Sequence, residues 1–249
     1  MTADALRLLV GDRARPVWSL IVTLMGDATR DDGGALPGAW LREVLGRLGA
    51  SSAAVRTATH RLRADGWIVT ERDGRASAHR LTARALAETR AVAARIYGPG
   101  PAGPERWSLV MAEAAPPGAV TVAPGLHLRA GPLGGDAGVS GPDLRLPGEA
   151  ARGLWSGALR SDCRDLRRRL KALRPPDAPL PADAAALRTV IVHDWRRIVL
   201  RAPPLPDALA PRDWDGAATR RAVHAALERL AVRAAAVRPG PRAGGGGSS

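Results

Sequence analysis

The residues best equipped for chemistry lie between Ser51 and Leu81, in the run SSAAVRTATHRLRADGWIVTERDGRASAHRL. Ser52, Arg56, Thr57, His60 and Arg63 recur at helical spacing, and Arg72 and Arg75 flank an Asp-Gly pair. Guanidinium, imidazole and hydroxyl groups in this number are a set of hydrogen-bond donors. They suit an acceptor-rich polyanion, since arginine grips phosphate or the edge of guanine with two parallel bonds.

Those residues need a helix and a hairpin beneath them. Ser51 or Ser52 can cap a helix start, because a serine oxygen accepts a free backbone N–H there. Val55, Ala58 and Leu62 then share one face, and Ala53, Arg56, Thr57, His60 and Arg63 the other. Gly66 stops the helix. WIVTER and RASAHRL follow as two strands joined at Asp73-Gly74, a strong hairpin signal. Upstream, Val17–Met25 reads as a buried helix, and Trp40–Leu48 as a second with Leu41, Val44, Leu45 and Leu48 inward. Gly49 makes the turn. Helix, helix, glycine turn, basic helix and basic hairpin is the order of a winged helix-turn-helix, which sets one helix in a major groove and its wing over phosphate.

Composition sets outer bounds. A chain of 249 residues allows one to three domains. Phenylalanine is absent and tyrosine occurs once, so Leu, Val, Ala and seven tryptophans must form the core. The net charge is +13, which favours polyanions. Much of it falls in residues 151–174, with eight Lys or Arg against two Asp or Glu. The single cysteine, Cys163, can form no internal disulfide and reads as a surface or packing thiol. With no signal peptide and no long apolar run, the expected location is cytoplasmic and off the membrane. His60, His79, His127, His193 and His224 are scattered, and no metal or cofactor motif appears. Neither a metal nor a cofactor is expected.

The chain divides as follows. Residues 1–15 read as a mobile leader, 16–97 as the winged helix-turn-helix, and 98–105 (GPGPAGP with its flank) as a linker. Within the first domain, 30–38 reads as a loop and Thr82–Tyr97 as one long helix. Residues 106–174 form a central domain: a strand near 106–114, a second β segment over Val120–Ala130 broken at Pro124-Gly125, an irregular stretch over 131–142, and a short strand over Asp143–Leu146. A helical pattern then runs from Glu149 to Leu173, with Leu159, Leu166 and Leu170 as its stripe. Residues 175–238 read as a helical C-terminal domain, with a proline-rich loop over 174–183, a helix over Leu187–Leu200 and a last helix over Ala217–Val237. Residues 239–249 read as a disordered tail.

With these segments in place, the chain resembles the PaaX family of bacterial transcriptional repressors. The residues that carry the likeness are SLIVTLMGD, AVRTATHRLRADGWI and RIYGP, then RWSLV and APGLHL, then VIVHDWRRIVLRAPPLPDALAPRDWDGAA. The resemblance implies an α+β chain: a winged helix-turn-helix, a ferredoxin-like central domain and a mainly helical C-terminal domain. It implies a homodimer on a palindromic double-stranded operator, released by an acyl-CoA thioester. Ala115, Pro116, Pro117 and Gly118 stand where the family carries a helix-forming segment, so the central domain is expected to be shortened.

For such an effector, Arg164, Arg168, His193, Trp195, Arg196 and Arg197 are the candidate residues. Guanidiniums would meet phosphates, and Trp155, Trp195 or Trp214 would stack on a ring. The alternative is an enzyme, a metal-dependent nuclease on the ferredoxin-like domain, which resembles CRISPR-associated endoribonucleases. Glu113 ends the first central strand, but no second carboxylate has motif spacing with it, and a cation needs converging carboxylates. The sequence therefore favours a regulator over an enzyme.

Overall fold

The computed structural model describes residues 2–11, 13–73, 76–101, 103–104, 106–141, 144–173 and 181–235. In chain order the elements are α1 (Thr2–Val10), α2 (Val17–Ala28), β1 (Leu36–Pro37), α3 (Gly38–Arg47), α4 (Ser52–Ala64), β2 (Ile68–Asp73), β3 (Ala76–Leu81), α5 (Ala83–Ala91), α6 (Ala93–Tyr97), β4 (Trp107–Met111), β5 (Val120–Ala123), β6 (Leu126–Ala130), β7 (Gly138–Gly141), α7 (Gly148–Leu154), α8 (Gly157–Ala172), α9 (Pro181–Val199), a 3-10 turn at Asp207–Leu209, and α10 (Gly216–Ala235). The architecture is mixed α+β, with helices and strands in the N-terminal part and mainly helices in the C-terminal part. No helix among the described residues is long and apolar enough to cross a membrane.

Two compact units emerge, and neither is a single stretch of chain. Of the described residues, the first holds those within 2–91, 172–193 and 225–235; the second holds those within 92–171 and 194–224.

In the first unit, α2 is buried from Ser19 to Gly26, as its continuous apolar run requires. The turn between α3 and α4 depends on Gly49, whose φ of +82° is open to glycine and strained for other residues. Ser51 caps α4, its Oγ accepting from the Ala54 N–H at 3.2 Å. Gly66, at φ +68°, ends that helix and lets the Trp67 N–H reach the Leu62 carbonyl at 2.8 Å. The hairpin β2–β3 pairs Ile68 with Leu81 through to Asp73 with Ala76. Gly74, the second residue of the expected turn, lies outside the described residues. β1 joins the far edge of β3, giving the order β1-β3-β2.

The second unit carries a four-stranded antiparallel sheet in the order β5-β6-β4-β7. No helix links β4 to β5, as Ala115 to Gly118 led us to expect; a turn at Gly118 (φ +74°) does so. α8 buries Leu159, Cys163, Leu166 and Leu170 along one stripe. Cys163 is a packing thiol. Its Sγ donates to Thr219 Oγ1 at 3.2 Å, and burial pushes its pKa up to about 11.

Several expectations need correction. The leader contains α1, whose Ala5, Leu6 and Leu9 are buried and whose last carbonyls, Leu9 and Val10, accept from Arg15. Its amphipathic spacing was a helical signal that the polar flanks obscured. The loop over 30–38 contains β1. The helix over Thr82–Tyr97 is two helices interrupted at Val92, which sits as a turn residue at φ −95° and ψ −5°. The stretch 131–142 contains β7, held by long-range pairing to β4 that no local signal could reveal. Leu144–Leu146 form no strand, and Asp143 lies outside the described residues. The pattern over 149–173 breaks at Trp155, and Ser156 caps α8 by accepting from the Leu159 N–H. α9 begins at Pro181, inside the expected loop, because proline suits the first helical position.

Within the first unit, a buried ion pair fastens the part of α9 that carries Arg188. Arg188 donates from Nε and Nη2 to the Asp27 carboxylate at 2.5 and 3.0 Å, and from Nη1 to the Leu227 carbonyl at 2.9 Å. Asp27 is 5% exposed. Replacing one partner of a buried pair leaves the other charge uncompensated. Arg188→Ala should therefore cost about 3–5 kcal/mol of stability, read from urea denaturation.

Candidate nucleic-acid interface

The packing of α4 decides which of its side chains reach solvent. Val55, Ala58 and Leu62 are 2%, 8% and 3% exposed. Ser52, Arg56, Thr57, His60 and Arg63 are consequently exposed, as the helical phase predicts. Ser52 is the first helical residue rather than the cap.

Three elements close on a groove of about 340 Å³. α3 contributes Arg42; α4 contributes Arg56, Thr59, His60 and Arg63; the hairpin contributes Thr70 and Arg72 from β2 and Ser77 and His79 from β3. Gly38 makes the close approach possible. A Cβ there would collide with the Ser77 side chain and stand 3.0 Å from His79 Nε2. With that contact open, α3 starts against β3 and Arg42, one turn on, faces the groove.

Arg42, Arg56, Arg63 and Arg72 form no ion pair among the described residues. The contrast with α8 is sharp. Arg160 and Arg164 pair with Asp213, Arg167 with Asp215, Arg168 with Asp165 and Arg169 with Asp194. The most basic helix of the sequence is thus neutralised by its neighbours, while the groove keeps its charge.

His79 floors the groove. Its Nδ1 lies 2.9 Å from Thr70 Oγ1. Burial, then the Arg42 and Arg63 charges, push its pKa below the usual imidazole value. The ring is neutral at pH 7. Four cations around a neutral hydrogen-bonding floor suit an anion with oxygen acceptors. The exposed face of α4 offers the donors that base edges require.

The structure assembles Arg56, His60, Arg63 and Arg72 on one groove. Thr57 is exposed on the same helix but does not line it. Arg75 lies outside the described residues. Sequence reasoning passed over Arg42, Thr59, Thr70, Ser77 and His79. For Arg42 a signal existed, since the inward Leu41–Val44–Leu45 stripe leaves it outward. Its position opposite α4 is tertiary.

The structure places the six candidate effector residues in different surroundings. Arg164 and Arg168 are paired as above. His193 is buried, its Nε2 3.2 Å from Ser19 Oγ. Trp195 is buried with its indole N–H on the Ile96 carbonyl at 2.9 Å. Arg196 is mostly buried, and desolvation lowers its pKa. Arg197 is exposed. Trp195 also lines a cavity. Residue type and nearness along the chain grouped side chains that packing sends in different directions.

Comparison with known proteins gives the chain a family. Residues 17–85 match the model for PaaX-like proteins, and residues 148–238 match that for the PaaX-like protein C-terminal domain. The chain belongs to the PaaX-like family. The transcriptional repressor PaaX of Escherichia coli (strain K12) is 28% identical over 259 aligned positions, covering 88% of this chain and 81% of that protein. The solved structure of the uncharacterized protein Rv0674 from Mycobacterium tuberculosis is 20% identical with a TM-score of 0.53, covering 88% of this chain and 97% of that one. That likeness concerns the fold alone. The first matched segment contains the whole groove, from Gly38 to His79.

The depressed pKa of His79 gives a pH signature. The unfolded chain takes up this proton first, so stability is full above the ordinary value near 6.5 and falls as pH drops below it. Urea midpoints measured from about pH 7.5 to about pH 5.5 should fall further for the wild type than for His79→Gln. Parallel curves for the two proteins would remove His79 as the source.

Proposed function

We propose that this PaaX-like transcriptional repressor binds double-stranded operator DNA through the groove of its first unit. We read α3, α4 and the β2–β3 hairpin as a winged helix-turn-helix, with α4 in the major groove and the hairpin over the backbone. The observation that carries the reading is the cluster of Arg42, Arg56, Arg63 and Arg72, uncompensated among the described residues, on a family-matched segment. We read the β5-β6-β4-β7 sheet as a ferredoxin-like sheet without its crossover helices, since its order and antiparallel pairing fit that topology.

In this reading Arg56, Thr57 and His60 face bases, and Arg42, Arg63 and Arg72 hold phosphate. Ser52 adds its hydroxyl and N–H at the start of α4, where backbone N–H groups favour an anion. Arg75 belongs with the wing contacts. A homodimer is the matching assembly, because one such helix covers a half-site and a two-fold partner completes a palindrome. Relief of repression by a small anionic effector, an acyl-CoA thioester in the form the resemblance implies, completes the proposal. The likeness to the transcriptional repressor PaaX supports the repressor role. The nuclease alternative has no comparable support: Glu113 is an exposed bend residue, and no group of three His, Cys, Asp or Glu among the described residues could hold a metal ion.

The test is a mobility shift on the intergenic DNA beside the gene. Arg56→Ala should lose about 1–3 kcal/mol at the operator and relax sequence preference. Arg42→Ala and Arg72→Ala should weaken all sequences alike and each reduce the salt slope by about one. Unchanged operator affinity in Arg56→Ala would overturn the base-reading assignment. Sedimentation at micromolar concentration should return a dimer; a monomer bound one-to-one to DNA would exclude the palindromic mode.

A further inference from the structure

A second cavity, of about 240 Å³, lies wholly within the second unit. Its walls are mostly apolar. They bring together Trp155, Trp195 and Trp214, three of the seven tryptophans, from α7's end, α9 and the segment before α10. Trp155 and Trp214 stand 6.5 Å apart, centroid to centroid, with planes tilted by 54°. A Cβ at Gly216 would collide with the Trp214 indole, so the glycine keeps that ring seated.

Two guanidiniums enter the same walls. Arg220 is 8% exposed and lies 5.0 Å over the Trp195 ring. It donates to the Arg95 and Gly98 carbonyls, and Arg95 donates to those of Val199 and Ala202. Carbonyls satisfy N–H groups without cancelling charge. Burial lowers the pKa of both arginines, which marks the cost of holding two cations there. Neither forms an ion pair among the described residues. Asp207 is the one carboxylate of the lining, and it accepts from the Trp214 indole N–H at 2.7 Å. Two cations and one carboxylate leave a net charge of +1.

We propose that this cavity binds a small monocarboxylate with a flat apolar body. The indoles take the flat body by stacking and edge contact. The carboxylate meets the arginine pair in a desolvated setting, where a charge-assisted hydrogen bond is strong. One surplus positive charge selects a monoanion, and Asp207 opposes a second negative charge. Size excludes a nucleotide thioester from the interior, because drug-sized ligands need about 300–1,000 Å³. The proposal stands apart from the DNA-binding reading, which concerns the other unit.

Calorimetry and tryptophan emission on the full chain test it with benzoate, 3-phenylpropionate, benzamide and benzoyl-CoA. We expect a carboxylate to bind one per chain, quench emission, and bind at least about tenfold more tightly than the neutral amide. Arg220→Gln and Trp214→Ala should each weaken it at least about tenfold. Should either variant fail to fold, the acid-against-amide ratio on the wild type decides alone. No heat or quenching at millimolar acid, equal binding of acid and amide, or binding of the thioester only overturns the proposal. Operator retention is measured on the same samples. A chain that binds the acids and retains no DNA overturns the repressor reading and leaves this site standing.

Discussion

Burial of Val55, Ala58 and Leu62 is the constraint on which the functional surface depends. Each large apolar side chain taken out of water stabilises by about 1.5–3 kcal/mol. That is enough to pin the rotation of a short helix that intrinsic propensity alone would leave marginal. Once the stripe is inward, Arg56, His60 and Arg63 have no choice but to point outward. Ser51 and Gly66 then fix where the helix begins and ends, so the register of its donors is set from both sides and from beneath.

The distribution of charge follows from packing more than from composition. α8 is the most arginine-rich segment, yet its five arginines face Asp165, Asp194, Asp213 and Asp215. Three of those carboxylates lie far along the chain. The arginines of the groove have no such neighbours among the described residues, and the closest polar groups there are neutral. A high net charge by itself located nothing. What sets the groove apart is the difference between compensated and uncompensated cations.

Histidine and tryptophan show the same dependence on context. His79, His127 and His193 are buried and hydrogen-bonded, His127 between Thr121 and the Ala112 carbonyl. His127 and His193 serve the interior, while His79 also floors the groove. Without phenylalanine, the tryptophans carry the aromatic volume of the core. Trp155 and Trp195 are both 1% exposed. A space remains between them and Trp214, and two arginines border it.

The sequence by itself determined the local pieces: α2, α3 and α4, the serine cap of α4, the glycine turns, the β2–β3 hairpin, and the outward set on α4. Each follows from interactions within a few residues, and such signals are strong where a periodic stripe meets a stop residue. It also carried the family resemblance through motifs in order. What it did not contain were the pairings over long distance. β1 and β7 are too short to announce themselves and exist through their partners β3 and β4. The place of Arg42 opposite α4, the neutralisation of α8, the scattering of the six expected effector residues and the meeting of three tryptophans are all decided by tertiary packing. A side chain's neighbours across the core are set by how elements stack, and spacing along one helix says nothing of them.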